Sequence, residues 1–129
     1  MLSANGSNEV MAVAGSGGSN TRVIIWPYHG YADQFWYLEP AGGNTYRYHP
    51  AHNTGLCLDV PGSDTSTRRT LVVWTCNGGR NQVFGHRAND SISPVINVGK
   101  CLDVHTHNSG ERVWLWPCNG TAAQRWSFV

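Results

Sequence analysis

Asp59, Trp74, Asn77, Asn81 and Gln82 are side chains of the types that can hold a neutral sugar. A pyranose has an apolar face of C–H groups and a rim of hydroxyls. A flat aromatic fits the face, while carboxylates and amides exchange hydrogen bonds with the rim. Asp59 would serve as a double acceptor, Trp74 as the platform, and the three amides as donors or acceptors. Each also has a structural use: Gln82 can equally brace a loop, and an isolated Trp is more often core. Alternation along Leu71-Val72-Val73-Trp74 separates the two uses for Trp74, because inward Leu71 and Val73 leave it near the surface.

The set recurs twice, with changes. Downstream stand Asp103, Trp116, Asn119 and Gln124, but Ala123 replaces the amide of Asn81. Trp114 shares a strand face with Trp116 and either adds contact area or pads the neighbouring loop. His105 and His107 follow Asp103 and either rim that site or are solvated. Upstream stand Trp26, His29, Asp33 and Gln34, with Met11 aligned to Asp59 and Asp33 aligned to Asn81. Without the carboxylate this first set is expected to be vestigial.

These recurrences are internal repeats, which decide the architecture. Gly55-Leu56-Cys57-Leu58-Asp59-Val60 returns as Gly99-Lys100-Cys101-Leu102-Asp103-Val104, and Trp74-Thr75-Cys76-Asn77-Gly78 as Trp116-Pro117-Cys118-Asn119-Gly120. Trp26 and Gln34 both precede their second copies, Trp74 and Gln82, by 48 positions; Trp74 and Gln82 precede Trp116 and Gln124 by 42. Each unit closes on Gln-x-aromatic, ending in Trp36, Phe84 or Trp126, which are expected core residues.

The platforms sit on short β-branched and aromatic runs, 22–26, 70–74 and 112–116, bounded by Gly, Asn, Ser or Pro. No segment carries a sustained helical stripe. The chain is therefore expected to be all-β, one domain over 1–129, built from units of approximately 1–40, 41–88 and 89–129. Units this small cannot bury a core alone, so they share one around a pseudo-threefold axis. The first unit is short of its opening strand, or that strand is truncated.

Composition narrows the partners. Charged residues make up 13% of the chain, Lys occurs once, and the net charge is +1, so no field is expected to draw nucleic acid or anionic membrane. No apolar run of about 18 residues occurs, and no membrane insertion is expected. The start has neither a basic n-region nor an apolar h-region, yet four Cys look like two disulfides and an oxidising compartment. A mature secreted form, or a domain of a larger secreted protein, reconciles the two. Three glycosylation sequons, at Asn5, Asn89 and Asn119, are taken as chance matches.

Cys-Leu-Asp-Val, the Trp-x-Cys block and the Gln-x-aromatic ending, over nearly the whole chain, resemble the ricin-B-type lectins, also called R-type or family-13 carbohydrate-binding modules. The resemblance implies a β-trefoil with one shallow sugar site per lobe. It assigns sugar hydroxyls to the Asp of Cys-Leu-Asp-Val, ring stacking to the aromatic on the next strand, and polar contacts to the Asn-Gln pair. It implies galactose-type sugars as commonest ligands, with xylan in some members. It also pairs Cys57 with Cys76 and Cys101 with Cys118, leaving Glu9 and Tyr28 at the corresponding places of the first unit.

Neither zinc nor catalysis fits as well. No Cys-x-x-Cys or His-x-x-x-His spacing supports a metal, and no cofactor is expected. Asp59 and Asp103 occupy equivalent places in different units, so they are expected to lie too far apart to act as a glycosidase pair. The expected partners are galactose-type glycans or xylan; a protein-binding trefoil with decayed sugar sites is the remaining reading.

Overall fold

The computed structural model describes residues 1–5 and 7–129; Gly6, within the first sequon, lies outside the described residues. Four strands fall in each sequence unit. The first holds β1 (Leu2–Ala4), β2 (Glu9–Val13), β3 (Thr21–Pro27) and β4 (Trp36–Pro40). The second holds β5 (Thr45–Pro50), β6 (Leu56–Asp59), β7 (Val72–Thr75) and β8 (Phe84–His86), and the third β9 (Ile92–Pro94), β10 (Lys100–Val104), β11 (Val113–Pro117) and β12 (Trp126–Phe128). The only helices among the described residues are five three-residue 3-10 turns. The architecture is an all-β trefoil. The opening strand of the first unit is present, as the short β1, and pairs with β12 at the other end of the chain.

Within each unit the second and third strands form an antiparallel hairpin, β2–β3, β6–β7 and β10–β11. The three hairpins are joined around the axis by backbone bonds of two kinds. Val23 N–H donates to Leu71 O and Leu71 N–H to Val113 O, both at 3.0 Å, while Ile25 N–H donates to Glu111 O and Leu115 N–H to Arg69 O, both at 2.9 Å. Closure of this ring leaves the hairpins no free inner edge. Their inward residues come in threes: Met11, Leu58 and Leu102; Val13, Val60 and Val104; Val23, Leu71 and Val113; Ile25, Val73 and Leu115, all in one buried cluster. Trp36, Phe84 and Trp126 join it as expected. The Trp36 and Trp126 indoles donate to Met11 O and Leu102 O, satisfying the polar edge that burial would otherwise orphan.

This register corrects two alignments in the first unit. Cys57 lies opposite Trp74 and Asp59 opposite Val72, while Val10 lies opposite Trp26 and Ala12 opposite Ile24. Ala12, not Met11, therefore stands where Asp59 does, and Val10, not Glu9, where Cys57 does. The hairpin loop of the first unit is one residue shorter than that of the second, and in a strand a one-residue slip exchanges the faces. Met11 consequently points into the core, fully buried.

The two disulfides, Cys57–Cys76 and Cys101–Cys118, form within the second and third units and close sequence separations of 19 and 17. Closing such loops stabilises by roughly 3 kcal/mol in the chain-entropy model. The corrected register gives a test. The double variant Val10→Cys, Tyr28→Cys is expected to form a third disulfide and gain roughly 3 kcal/mol in urea unfolding. Glu9→Cys, Tyr28→Cys is expected to keep both thiols free on mass analysis.

Candidate functional site

Each unit ends with a 3-10 turn whose last residue is a buried Gln, and that Gln ties the turn to the platform strand. Gln82 accepts the Asn77 N–H through Oε1 and donates through Nε2 to Thr75 O at 3.1 Å and Asp59 Oδ2 at 2.9 Å. Gln124 repeats the set with Asn119 N–H, Pro117 O and Asp103 Oδ2. Gln34 keeps the two backbone bonds, to His29 N–H and Pro27 O. Gln82 is 0% exposed and its amide is fully engaged. Gln82 and Gln124, expected as sugar contacts, instead hold Asp59 and Asp103 in place.

In the second lobe the expected residues come together. Asp59, Trp74, Asn77 and Asn81 line one cavity of about 460 Å³, and Trp74 is 42% exposed at its edge. Asn81 Nδ2 donates to Val60 O at 3.0 Å and to Asp59 Oδ2 at 3.3 Å. Both internal donors thus converge on one oxygen of Asp59, and no described residue donates to Oδ1. Burial pushes the Asp59 carboxyl above the ordinary carboxylate range, with the Gln82 and Asn81 hydrogen bonds opposing it. Asn77 spends its Oδ1 on the Gly79 N–H at 2.8 Å, leaving its amide nitrogen for a ligand. Pro61, Gly62, Ser63 and Asn20 complete the lining. Sequence reasoning missed them; Asn20 comes from the preceding unit, so no within-unit alignment could reveal it.

The third lobe is narrower. Asp103, Trp114, Trp116 and Asn119, together with His105, line a cavity of about 190 Å³. Trp114 is buried, stacks on Trp116 at 5.6 Å between centroids, and donates its indole N–H to Asp103 Oδ1 at 2.9 Å. It supplies the donor that Ala123 lacks, and it is a support for the carboxylate more than a contact surface. Both Asp103 oxygens therefore already accept a hydrogen bond. Burial raises its carboxyl too, against the Trp114 and Gln124 hydrogen bonds and the positive side of His105 and His107. Asn119 accepts the Thr121 N–H and hydroxyl through Oδ1.

In the first lobe Trp26 is as exposed as Trp74 and lines a cavity of about 530 Å³ with His29, Tyr31, Asp33 and Arg22. Ala12 offers no carboxylate. Asp33 is buried, accepts the Ser16 hydroxyl at 2.8 Å, and has its second oxygen 3.7 Å from His29 Nε2. His49 lies beside both sulfurs of Cys57–Cys76; sulfurs bonded to each other offer no thiolate to a metal.

Gly79 shows how tightly the second-lobe amides pack. A Cβ there would meet Asn81 Oδ1 at 2.6 Å and Asn77 Oδ1 at 2.9 Å, although its backbone angles, φ −70° and ψ 151°, suit any residue. Gly79→Ala is expected to displace both amides and to cost about 1 kcal/mol in chemical unfolding, with the trefoil intact. A crystal structure of the variant with Asn77 and Asn81 unmoved would refute this packing.

The sequence pattern of the ricin-type beta-trefoil lectin domain matches residues 44–129. No curated protein matches the chain. Among solved structures, the designed three-fold symmetric protein ThreeFoil superposes with TM-score 0.90 at 26% identity, over 97% of this chain and 93% of that one. The exo-beta-1,3-galactanase 1,3Gal43A from Clostridium thermocellum superposes with TM-score 0.80 at 27% identity over 92% of this chain, which spans 27% of that enzyme. The C-half of the earthworm R-type lectin, solved with GalNAc, superposes with TM-score 0.74 at 14% identity, over 96% and 90% of the two chains. Two internal lobes with the Asp–Gln–Trp arrangement, within a trefoil whose sequence matches over 44–129, make this chain a member of the ricin-type β-trefoil lectin domain family, a carbohydrate-binding fold.

Proposed function

We propose that the protein is a secreted, non-catalytic lectin whose principal site lies in the second lobe and takes galactose-type sugars. The observation that carries this reading is the open Oδ1 of Asp59 in the same cavity as the exposed Trp74. A sugar lying on the indole would direct one or two hydroxyls to that oxygen. The Asn77 amide nitrogen and Asn81 Oδ1 would serve the neighbouring positions. The third-lobe set, Asp103, Trp116 and Asn119, would form a weaker second site, since Trp114 already occupies one carboxylate oxygen. The first lobe, with Trp26, His29, Asp33 and Gln34 but Ala12 in place of the Asp, lacks the acceptor and would be vestigial for this ligand class. Weak individual sites on one rigid body gain through avidity.

The galactanase and the GalNAc-bound lectin lend support to galactose-type ligands. This chain spans 27% of the galactanase, which supports the related reading of a module carried by a polysaccharide-acting enzyme; xylan is the alternative polysaccharide for such a module. The two disulfides suit an oxidising compartment.

Titration calorimetry with galactose, lactose and xylobiose separates the ligands. Asp59→Ala is expected to weaken binding on the order of 10–100-fold, matching roughly 1.5–3 kcal/mol for hydrogen bonds to a charged group, and Trp74→Ala is expected to weaken it through loss of the stacking surface. Asp103→Ala is expected to cost less. Unchanged affinity in Asp59→Ala would remove the second-lobe assignment. A pH series adds a second check. The hydroxyls donate to the ionised carboxylate, and burial raises the Asp59 carboxyl above its ordinary 3.8. Affinity is therefore expected to fall on acidification with a midpoint above 3.8, and in Asp59→Asn this dependence should vanish.

A further inference from the structure

We infer that each site is shared between two lobes, and that one residue of the preceding lobe sets how much of the platform a ligand can reach. The residues are Asn20 for the second lobe, Arg68 for the third and Gly110 for the first. All three hold positive φ, at 69°, 74° and 86°. All three make one equivalent bond into the next platform strand: Asn20 N–H to Val73 O at 2.7 Å, Arg68 N–H to Leu115 O at 2.7 Å, and Gly110 N–H to Ile25 O at 2.8 Å. Each accepting carbonyl belongs to the residue immediately before a platform: Trp74, Trp116 or Trp26.

That bond fixes where the side chain goes. Asn20 lines the Trp74 cavity. The Arg68 guanidinium carbon lies 5.4 Å from the Trp116 ring and 6.0 Å from Trp114, within range of a cation–π attraction. Gly110 has no side chain, but a Cβ there would stand 3.5 Å from Trp26. The cavities measure about 530 Å³ in the first lobe, 460 Å³ in the second and 190 Å³ in the third; Asn20 belongs to the second cavity's lining, whereas Arg68 meets the third platform through its approach to Trp116 and Trp114, outside that cavity's lining. Arg68 also keeps a φ that costs a β-carbon-bearing residue some strain, so the position is held by the inter-lobe bond and not by the preference of Arg. A guanidinium on the third platform competes with a sugar for the same indole; an amide on the second leaves the ring open and adds a polar contact.

This inference rests on the glycan-binding reading for its ligand, but its geometry can be read without one. The test uses the full chain with 15N-labelled indoles, in Asn20→Arg and Arg68→Asn variants; both residues are already tolerated at this φ in sister lobes. A neutral soluble gadolinium chelate reports the accessibility of each indole N–H. Arg68→Asn is expected to raise the relaxation enhancement at Trp116 at least about twofold, and Asn20→Arg to lower it at Trp74 by a similar factor. Lactose titration then reads affinity: Asn20→Arg is expected to weaken the Trp74 response about tenfold, and Arg68→Asn, placed in Asp59→Ala, to strengthen the Trp116 response several-fold. Unchanged chelate enhancement at both platforms would overturn the gating role, and would mean that Trp114 alone narrows the third lobe. Changed enhancement with no response of any indole to lactose, galactose or xylobiose would sustain the gate and overturn the lectin reading instead.

Discussion

Gln82 grips the end of β7, the backbone after it and the carboxylate of Asp59 with a single buried amide. Most of what the site can do depends on that grip. A carboxylate taken out of water needs donors, and an amide nitrogen has two hydrogens to give. Gln82 commits one to the backbone and one to Asp59, so it orients the acid and anchors the loop in one step. The same amide in Gln124 does this for Asp103, and in Gln34, whose lobe carries Ala12 at the acid's place, it retains only the structural half. The first lobe thereby shows what the scaffold needs when no acid is present.

Carboxylate oxygens then separate the lobes. In the second, both donors meet on Oδ2 and Oδ1 stays open; in the third, Trp114 takes Oδ1. Burial raises both acids above their ordinary range. A carboxyl raised on folding favours its protonated form, so its contribution to stability is present in acid and is lost as pH rises from 3.8 through the folded-state value. At neutral pH these two acids work against the fold. Their place beside the exposed Trp74 and the half-buried Trp116 is what the proposed binding role would require.

Much of the fold was legible, because the repeats carry it. Three markers in order implied three units, the β-rich runs implied strands, and Leu71–Trp74 alternation placed the platform at the surface, where it is. What was misread had definable causes. Met11 was aligned to Asp59 by extending the second-half offset across a loop one residue shorter, and the apolar run Val10-Met11-Ala12-Val13 offered no alternation to expose the slip. The match of Val13-Ala14-Gly15-Ser16 to Val60-Pro61-Gly62-Ser63 was the signal available, since each forms the same 3-10 turn. The sequence leaves Gln82 open between bracing and binding because its burial depends on the folded loop. Asn20, Arg68 and Gly110 were invisible for a different reason: a repeat alignment compares units with each other, whereas these residues act on the next one.

The pairing of β1 with β12 turns the chain into something close to a ring. Met1 and Val129 exchange backbone hydrogen bonds, the ammonium to Val129 O at 3.1 Å and the Val129 N–H to Met1 O at 3.0 Å. A few flexible residues could span that seam, and new ends could then be opened at the turns between Pro40 and Thr45 or between His86 and Ile92, which cuts the β4–β5 or β8–β9 connection but leaves the β2–β3, β6–β7 and β10–β11 hairpins whole. Such permuted chains would place the break beside a different lobe each time, so the contribution of each lobe to cooperativity could be weighed at constant composition.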